Sequence, residues 1–259
     1  MATIKDKLYF NFNGISSKTF GLVHVELGNG MYDETLVANR TINETKQVNN
    51  DQPIFNGLEY EPLSFELNLA FEKGFNSTLI DDVIRWLFTD YYKPLYFEGN
   101  EEKIYYCMPE GNSSITHNGL EQGYVTITMR CKSSKLTSPL KMTQEQIVPS
   151  SGSETVTINN TGHETVYPEI SFTKTGSVGE VVIRKDSTNE IVRVKNLKVN
   201  ESIYIDTFKE IIETNAIGTY RYNDVDGDFR ELELTTGQNT YTITGAGKIQ
   251  FRYRLKYKF

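Results

Sequence analysis

The sequence predicts a mainly β protein of two domains with a single helix. Three observations carry this. Apolar and polar residues alternate with period two in stretches such as LSFELNLAF (63–71) and FRYRLKYKF (251–259), the pattern of strands with one buried face. The chain holds 16 Tyr and 14 Phe and is rich in Thr, Val and Ile, side chains that favour pleated surfaces. Only residues 77–91 show a strong helical stripe.

The elements follow in order. Residues 8–27 read as two strands around the turn chemistry of NGISS. Residues 34–49 (ETLVANRTINETKQVN) are polar and lack Pro and Gly, which fits an extended hairpin arm or edge strand better than a core helix. The strand 63–71 precedes the helix STLIDDVIRWLFTDY. Its stripe is Leu79, Ile80, Val83, Ile84, Leu87 and Phe88, with Thr78 and Asp81 as a capping box and Asp81 and Asp82 in the first turn. Trp86 lies beside the stripe and reads as a structural anchor, and Pro94 stops the helix. PLYFEG, KIYYCMPEG and GYVTITMRC supply three more strands.

Residues 132–153 lose periodicity and gather Ser, Pro and Gly. The expected organisation is a first domain over 1–135, a linker over 136–153 and a second domain over 154–259. Short strand candidates crowd the second domain, among them ETVTINN, VYPEISFTK, GEVVIRK, NEIVRVKNL, ESIYID, GTYRY, FRELEL and NTYTITG, as in a β-sandwich. DTFKEIIET is read as strand rather than helical turn.

Net charge is −7, which argues against a general nucleic-acid binder. The start, MATIKDKLYFNFNG, has no signal-peptide apolar run, and no window approaches the roughly 20 apolar residues of a membrane span. The protein is expected to be made in the cytosol and to stay soluble. Cys107 and Cys131, with no CxxC, read as two reduced thiols in a core or at a strand edge.

Candidate chemistry is sparse. His163–Glu164 in INNTGHETVYPEISF belongs to an Asn/Gly turn, with Pro168 opening a strand. His24 lies in a strand and His117 in a polar loop. DVDGDF (224–229) fails the calcium-loop pattern, with Gly227 at the fourth position and Phe229 at the sixth, and reads as an Asp-Gly hairpin turn. FRYRLKYKF puts Phe251, Tyr253, Leu255, Tyr257 and Phe259 on one face and Arg252, Arg254, Lys256 and Lys258 on the other. GAG (245–247) precedes no helix, no G-x-S-x-G elbow occurs, and the carboxylate pairs Asp81–Asp82 and Glu101–Glu102 are adjacent and point apart. Nothing assembles a nucleophile, base and oxyanion donors, so no enzyme, metal or cofactor is expected.

FNFNGISSKTFGL, LSFELNLAF before a helix with RWL, INNTGHETVYPEISF, and LTTGQNTYTITGAGKIQFRYRLKYKF occur in the order seen in the distal tail (Dit) proteins of siphophages infecting Gram-positive bacteria, which this chain resembles over nearly its whole length. The resemblance implies an N-terminal β-sandwich-like, ring-forming domain with one helix and an extended hairpin, and a C-terminal galectin-like β-sandwich. It implies a non-catalytic homohexameric ring in the virion, assembled in the host bacterial cytoplasm. The ring joins the tail tube protein to the tail-tip or tail-fibre (Tal-like) protein and, in some relatives, to receptor-binding proteins, and DNA passes through its channel without specific binding. Arg40, Ile42 and Glu44, which alternate in the polar segment, are the expected subunit interface, since a lone extended segment presents unpaired edge. The alternatives are a carbohydrate-binding module and another tail-tube or baseplate adaptor.

Overall fold

In a computed structural model the structure describes residues 8–25, 37–117, 119 and 123–258. Residues 26–27 of the first strand pair, residues 34–36 of the polar segment and Phe259 of the final stretch lie outside them. The chain divides into two compact units, Met1–Ser138 with Tyr257–Phe259, and Pro139–Lys256.

The first unit is built on a seven-stranded sheet, ordered β2-β1-β7-β8-β9-β6-β3. Its strands are β1 (Phe10–Phe12), β2 (Ile15–Ser16), β3 (Leu22–His24), β6 (Ser64–Phe71), β7 (Lys93–Phe97), β8 (Tyr105–His117) and β9 (Gly123–Cys131). Two further strands, β4 (Arg40–Thr45) and β5 (Ile54–Tyr60), form a separate two-stranded ribbon. The stretch read as one strand pair over 8–27 thus contains three short strands. Between two of them Gly21, in left-handed backbone at φ 61°, caps a 3-10 turn over Ser17–Phe20.

The single α-helix among the described residues, α1 (Ser77–Leu87), is capped by Asn76, whose Oδ1 accepts the Leu79 N–H at 2.8 Å. Thr78 and Asp81 therefore do not form the expected box, and Asp81 and Asp82 fall beyond the first turn. Asp82 instead pairs with Arg85 at 2.8 Å. The buried face is also rotated from the expected stripe. Val83, Trp86 and Leu87 are buried, while Ile84 and Phe88 stay exposed. The reason is Trp86, whose ring stacks on Phe10 (centroids 5.6 Å) and Phe20 (4.6 Å) and meets Phe12 edge-on (6.2 Å). Its Nε1–H donates to the Phe12 carbonyl at 3.0 Å. A large ring with a satisfied polar tip outweighs Ile84 and Phe88 in setting which face turns inward.

Residues 136–153 are ordered chain. β10 (Lys135–Thr137), β11 (Lys141–Met142) and β12 (Gln146–Val148) punctuate the stretch, and β13 (Ser153–Asn160) begins at its end. Leu136 and Val148 are buried.

The second unit packs two antiparallel sheets face to face. One contains β11, β12, β14 (Glu169–Lys174), β17 (Ser202–Asp206), β18 (Ile211–Thr214) and β21 (Gly247–Tyr253). The other runs β13-β20-β15-β16-β19, with β15 (Gly179–Lys185), β16 (Glu190–Leu197), β19 (Val225–Asp226) and β20 (Gly237–Thr244). Period-two alternation sends Ile170 and Phe172, Ile203 and Ile205, and Ile249 and Phe251 inward from the first sheet. Val181 and Ile183, Val192 and Val194, and Tyr241 and Ile243 meet them from the second. Tyr241 stacks on Phe251 across the core at 5.2 Å, with its hydroxyl satisfied by the Leu232 and Glu233 carbonyls.

Two expected strands are not strands. GTYRY is turn and irregular chain that runs into a 3-10 turn over Tyr222–Asp224, and FRELEL opens on a 3-10 turn over Phe229–Leu232. Phe229 and Leu232, three residues apart, bury together because a 3-10 turn brings i and i+3 onto one side. The Asp-Gly hairpin is likewise absent. β19 pairs with β16, and Gly227 (φ 99°) passes so close to the Ile191 carbonyl that a Cβ would lie 2.2 Å from it. The final stretch is also broken. β21 ends at Tyr253, and β22 (Lys256–Lys258) pairs with β10.

Candidate assembly surface

β4 and β5 form an exposed apolar feature with a defined register. Arg40 lies opposite Tyr60, Ile42 opposite Leu58 and Glu44 opposite Phe55. Directly opposed residues share a face of the ribbon. One face therefore carries Ile42, Phe55, Leu58 and Tyr60, flanked by Arg40 and Glu44, and the opposite face carries Thr41, Asn43, Thr45, Ile54 and Glu59. Ile42 is 59% exposed and Phe55 64%.

Phe55 reaches that face only because of a β-bulge. The register shifts between Asn43 and Glu44, where Gly57 pairs with Asn43 and Phe55 with Glu44. The extra residue moves odd-numbered Phe55 onto the side of even-numbered Leu58 and Tyr60. Gly57 sits at φ 145°, backbone that L side chains avoid. Asn56 donates from Nδ2 to Thr45 Oγ1 at 2.8 Å and pins the bulge. At the root, the Asn39 amide donates to Glu61 Oε2 at 3.1 Å and Glu61 N–H to the Asn39 carbonyl at 3.0 Å.

The structure brings the three expected interface residues together on one face of β4, all exposed. Sequence reading missed their β5 neighbours. The signal was present in IFNGLEY, an alternating strand interrupted by Asn-Gly.

The other candidates take structural places. His163 is an exposed turn residue whose backbone N–H donates to the Lys256 carbonyl at 2.8 Å. The turn is held by buried Asn160, whose amide donates to the Glu164 and Leu234 carbonyls and whose Oδ1 accepts the Gly162 N–H. His24 is in β3, and His117 is the last residue of β8 rather than part of a loop. Among the described residues no group of three or more His, Cys, Asp or Glu could hold a metal.

The second unit carries a cleft of about 250 Å³ lined by Tyr167, Glu169, Asp206, Phe208, Arg252 and Tyr253, among others. Its two carboxylates are paired, and Arg254 and Lys256 add two further cations to the lining. Asp206 pairs with Lys209 at 2.8 Å and Glu169 with Arg252 at 3.6 Å. Burial pushes the Asp206 carboxyl up, but the Lys209 ammonium and backbone donors outweigh it and hold it below the usual range. Burial and the Glu169 carboxylate push Tyr204 up to about 12.

Comparison with known proteins bears on both units. Residues 5–133 match the family described as phage tail protein N-terminal domain, and residues 138–253 match the phage tail C-terminal domain. The chain is 30% identical to the SPbeta prophage-derived uncharacterized protein YomH of Bacillus subtilis (strain 168), over 98% of this chain and 99% of that one. Its fold matches the crystal structure of the SPP1 Dit protein, described as a paradigm of hub adsorption apparatus in Gram-positive infecting phages, with a TM-score of 0.69, 17% identity, and coverage of 95% of this chain and 98% of that one. A chain of the phage P2 baseplate in its activated conformation aligns with a TM-score of 0.49 and 11% identity, over 97% and 98% of the two chains.

Proposed function

The chain belongs to the phage tail protein family defined by these two domains, and from that premise we propose that it is a distal tail hub, a homohexameric ring at the end of the tail tube. The first domain closes the ring and the second, galectin-like domain faces outward. The ring connects the tube protein to a Tal-like tip protein and receptor-binding proteins, and leaves an axial channel for DNA. It assembles in the host cytoplasm, resides in the virion and acts through association without catalysis. A fold shared with a protein described as hub adsorption apparatus supports this reading.

The observation that carries it is the β4–β5 ribbon. An isolated two-stranded ribbon is marginal in water, and its open edges and apolar face invite pairing. A ring supplies that partner in every copy, because cyclic closure uses two different patches on each subunit. Ile42, Phe55, Leu58 and Tyr60 form one patch, with Arg40 and Glu44 fixing register through charge. The net charge of −7 per chain suits a channel wall that repels phosphate, so that DNA slides rather than binds.

The test is the mass of the purified full chain by size-exclusion chromatography with light scattering, followed by negative-stain imaging. Six-fold rings are expected, and the double variant Phe55→Ser, Leu58→Ser should run as a folded monomer. A parent that stays monomeric with and without tail components, or a double variant that still closes rings, rejects the assignment of this surface.

A further inference from the structure

Cys107 and Cys131 are the two cysteines of the chain, and the fold sets them opposite one another on β8 and β9. The Lys132 N–H donates to the Tyr106 carbonyl at 2.8 Å, which makes that couple a hydrogen-bonded pair. The adjacent Cys107–Cys131 couple is then a non-hydrogen-bonded pair, where antiparallel Cα atoms approach to about 4.5 Å. A disulfide spans Cα separations of about 4.4–6.8 Å. Both side chains are buried on the same face of the sheet. Burial, then the neighbouring Cys131 thiol, push the Cys107 thiol well up, so Cys107 is protonated and slow to react while the sheet is closed.

We propose that Cys107 and Cys131 are a redox modification site, which closes into an intramolecular cross-strand disulfide by exchange with a low-molecular-weight disulfide. One cysteine, deprotonated when the hairpin opens, attacks the small disulfide, forms a mixed disulfide and releases one small thiolate. The second, also deprotonated, attacks the protein-side sulfur of that bond and expels the other small thiolate. Two protein thiols are oxidised, one small disulfide is reduced to two thiols, and the two protons pass to those thiols. A tail protein, on the reading above, is built in a reducing cytoplasm and works in an oxidising medium, so it meets both conditions.

The bridge has a structural consequence. It ties β8 to β9 at the buried root of a hairpin whose outer part, from Gly111 to His117 on β8, is largely exposed.

The full chain is refolded from denaturant in glutathione buffers of graded oxidised-to-reduced ratio, alkylated, and read by intact mass and peptide mapping. Oxidising ratios are expected to leave no alkylated thiol and a linked Cys107–Cys131 peptide, and excess reduced glutathione should reverse both. The bridged chain should melt about 5 °C or more above the reduced one, and Cys107→Ala and Cys131→Ala should show neither bridge nor shift. Two alkylated thiols at every ratio overturn the proposal. So does an end product that is a glutathione adduct or interchain dimer, or a bridged chain that melts lower than the reduced one. These readouts are independent of ring closure, so failure here and failure of the hub assignment are told apart.

Discussion

Removing the charge of Glu201 should destabilise the second unit in a pH-dependent way. Glu201 Oε1 accepts from Arg221 Nε at 2.8 Å and Thr214 Oγ1 at 2.6 Å. Its Oε2 accepts from Arg221 Nη2 at 2.6 Å and the Lys198 N–H at 2.8 Å. Arg221 Nη1 also donates to Asp224 Oδ2 at 2.7 Å, and both side chains of the Glu201–Arg221 pair are essentially inaccessible. Burial pushes the Glu201 carboxyl up, but four donors outweigh it and hold it at about 2, against 4.5 for an ordinary glutamate. A gap of that size is worth about 3 kcal/mol. The folded value lies below the unfolded one, so this stability is fully present above pH 4.5 and is lost as pH falls towards 2. Glu201→Gln removes the charge and sets an amide donor against a guanidinium donor. At pH 7 it should cost about 3–4 kcal/mol, in the range for breaking a buried pair. The deficit should shrink as pH falls from 4.5 towards 2. Urea titrations by far-UV circular dichroism measure it. Fluorescence of Trp86, the sole tryptophan, reports the first unit and should not move. A variant within about 1 kcal/mol of the parent at pH 7, or a deficit equally large near pH 2, would refute the reasoning.

Three further outcomes are expected. Trp86→Phe removes the indole donor to the Phe12 carbonyl and the larger stacking surface, so thermal melting should show a loss of about 2–3 kcal/mol. Gly57→Ala forces an L residue into φ 145°, costs the ribbon about 1–3 kcal/mol and should weaken ring closure in light scattering while the core melting temperature holds. Asn160→Ala breaks three side-chain hydrogen bonds in the turn before β14 and should cost about 2–4 kcal/mol in urea unfolding without altering oligomeric state.

Much of the fold was legible because alternation is a local signal. GYVTITMRC is β9 in full, and Leu67, Leu69 and Phe71 are buried as their spacing in 63–71 requires. Reading failed where a short polar side chain or a special φ decided the outcome. Asn76 capped the helix two residues ahead of the expected box, and Arg221 was drawn to Glu201 from a stretch that looked like strand. The candidate surface was half visible. Arg40, Ile42 and Glu44 stand out by period two within β4, whereas Phe55 joins them only through the bulge at Gly57.

By itself the sequence determined the β-rich class and the helix that follows Asn76, because period and propensity act over a few residues. Only the tertiary structure decided which strands pair, that Cys107 faces Cys131, and that Phe55 stands beside Ile42. Those relations depend on register between strands, and register is fixed by hydrogen bonding across the sheet and burial of whole faces.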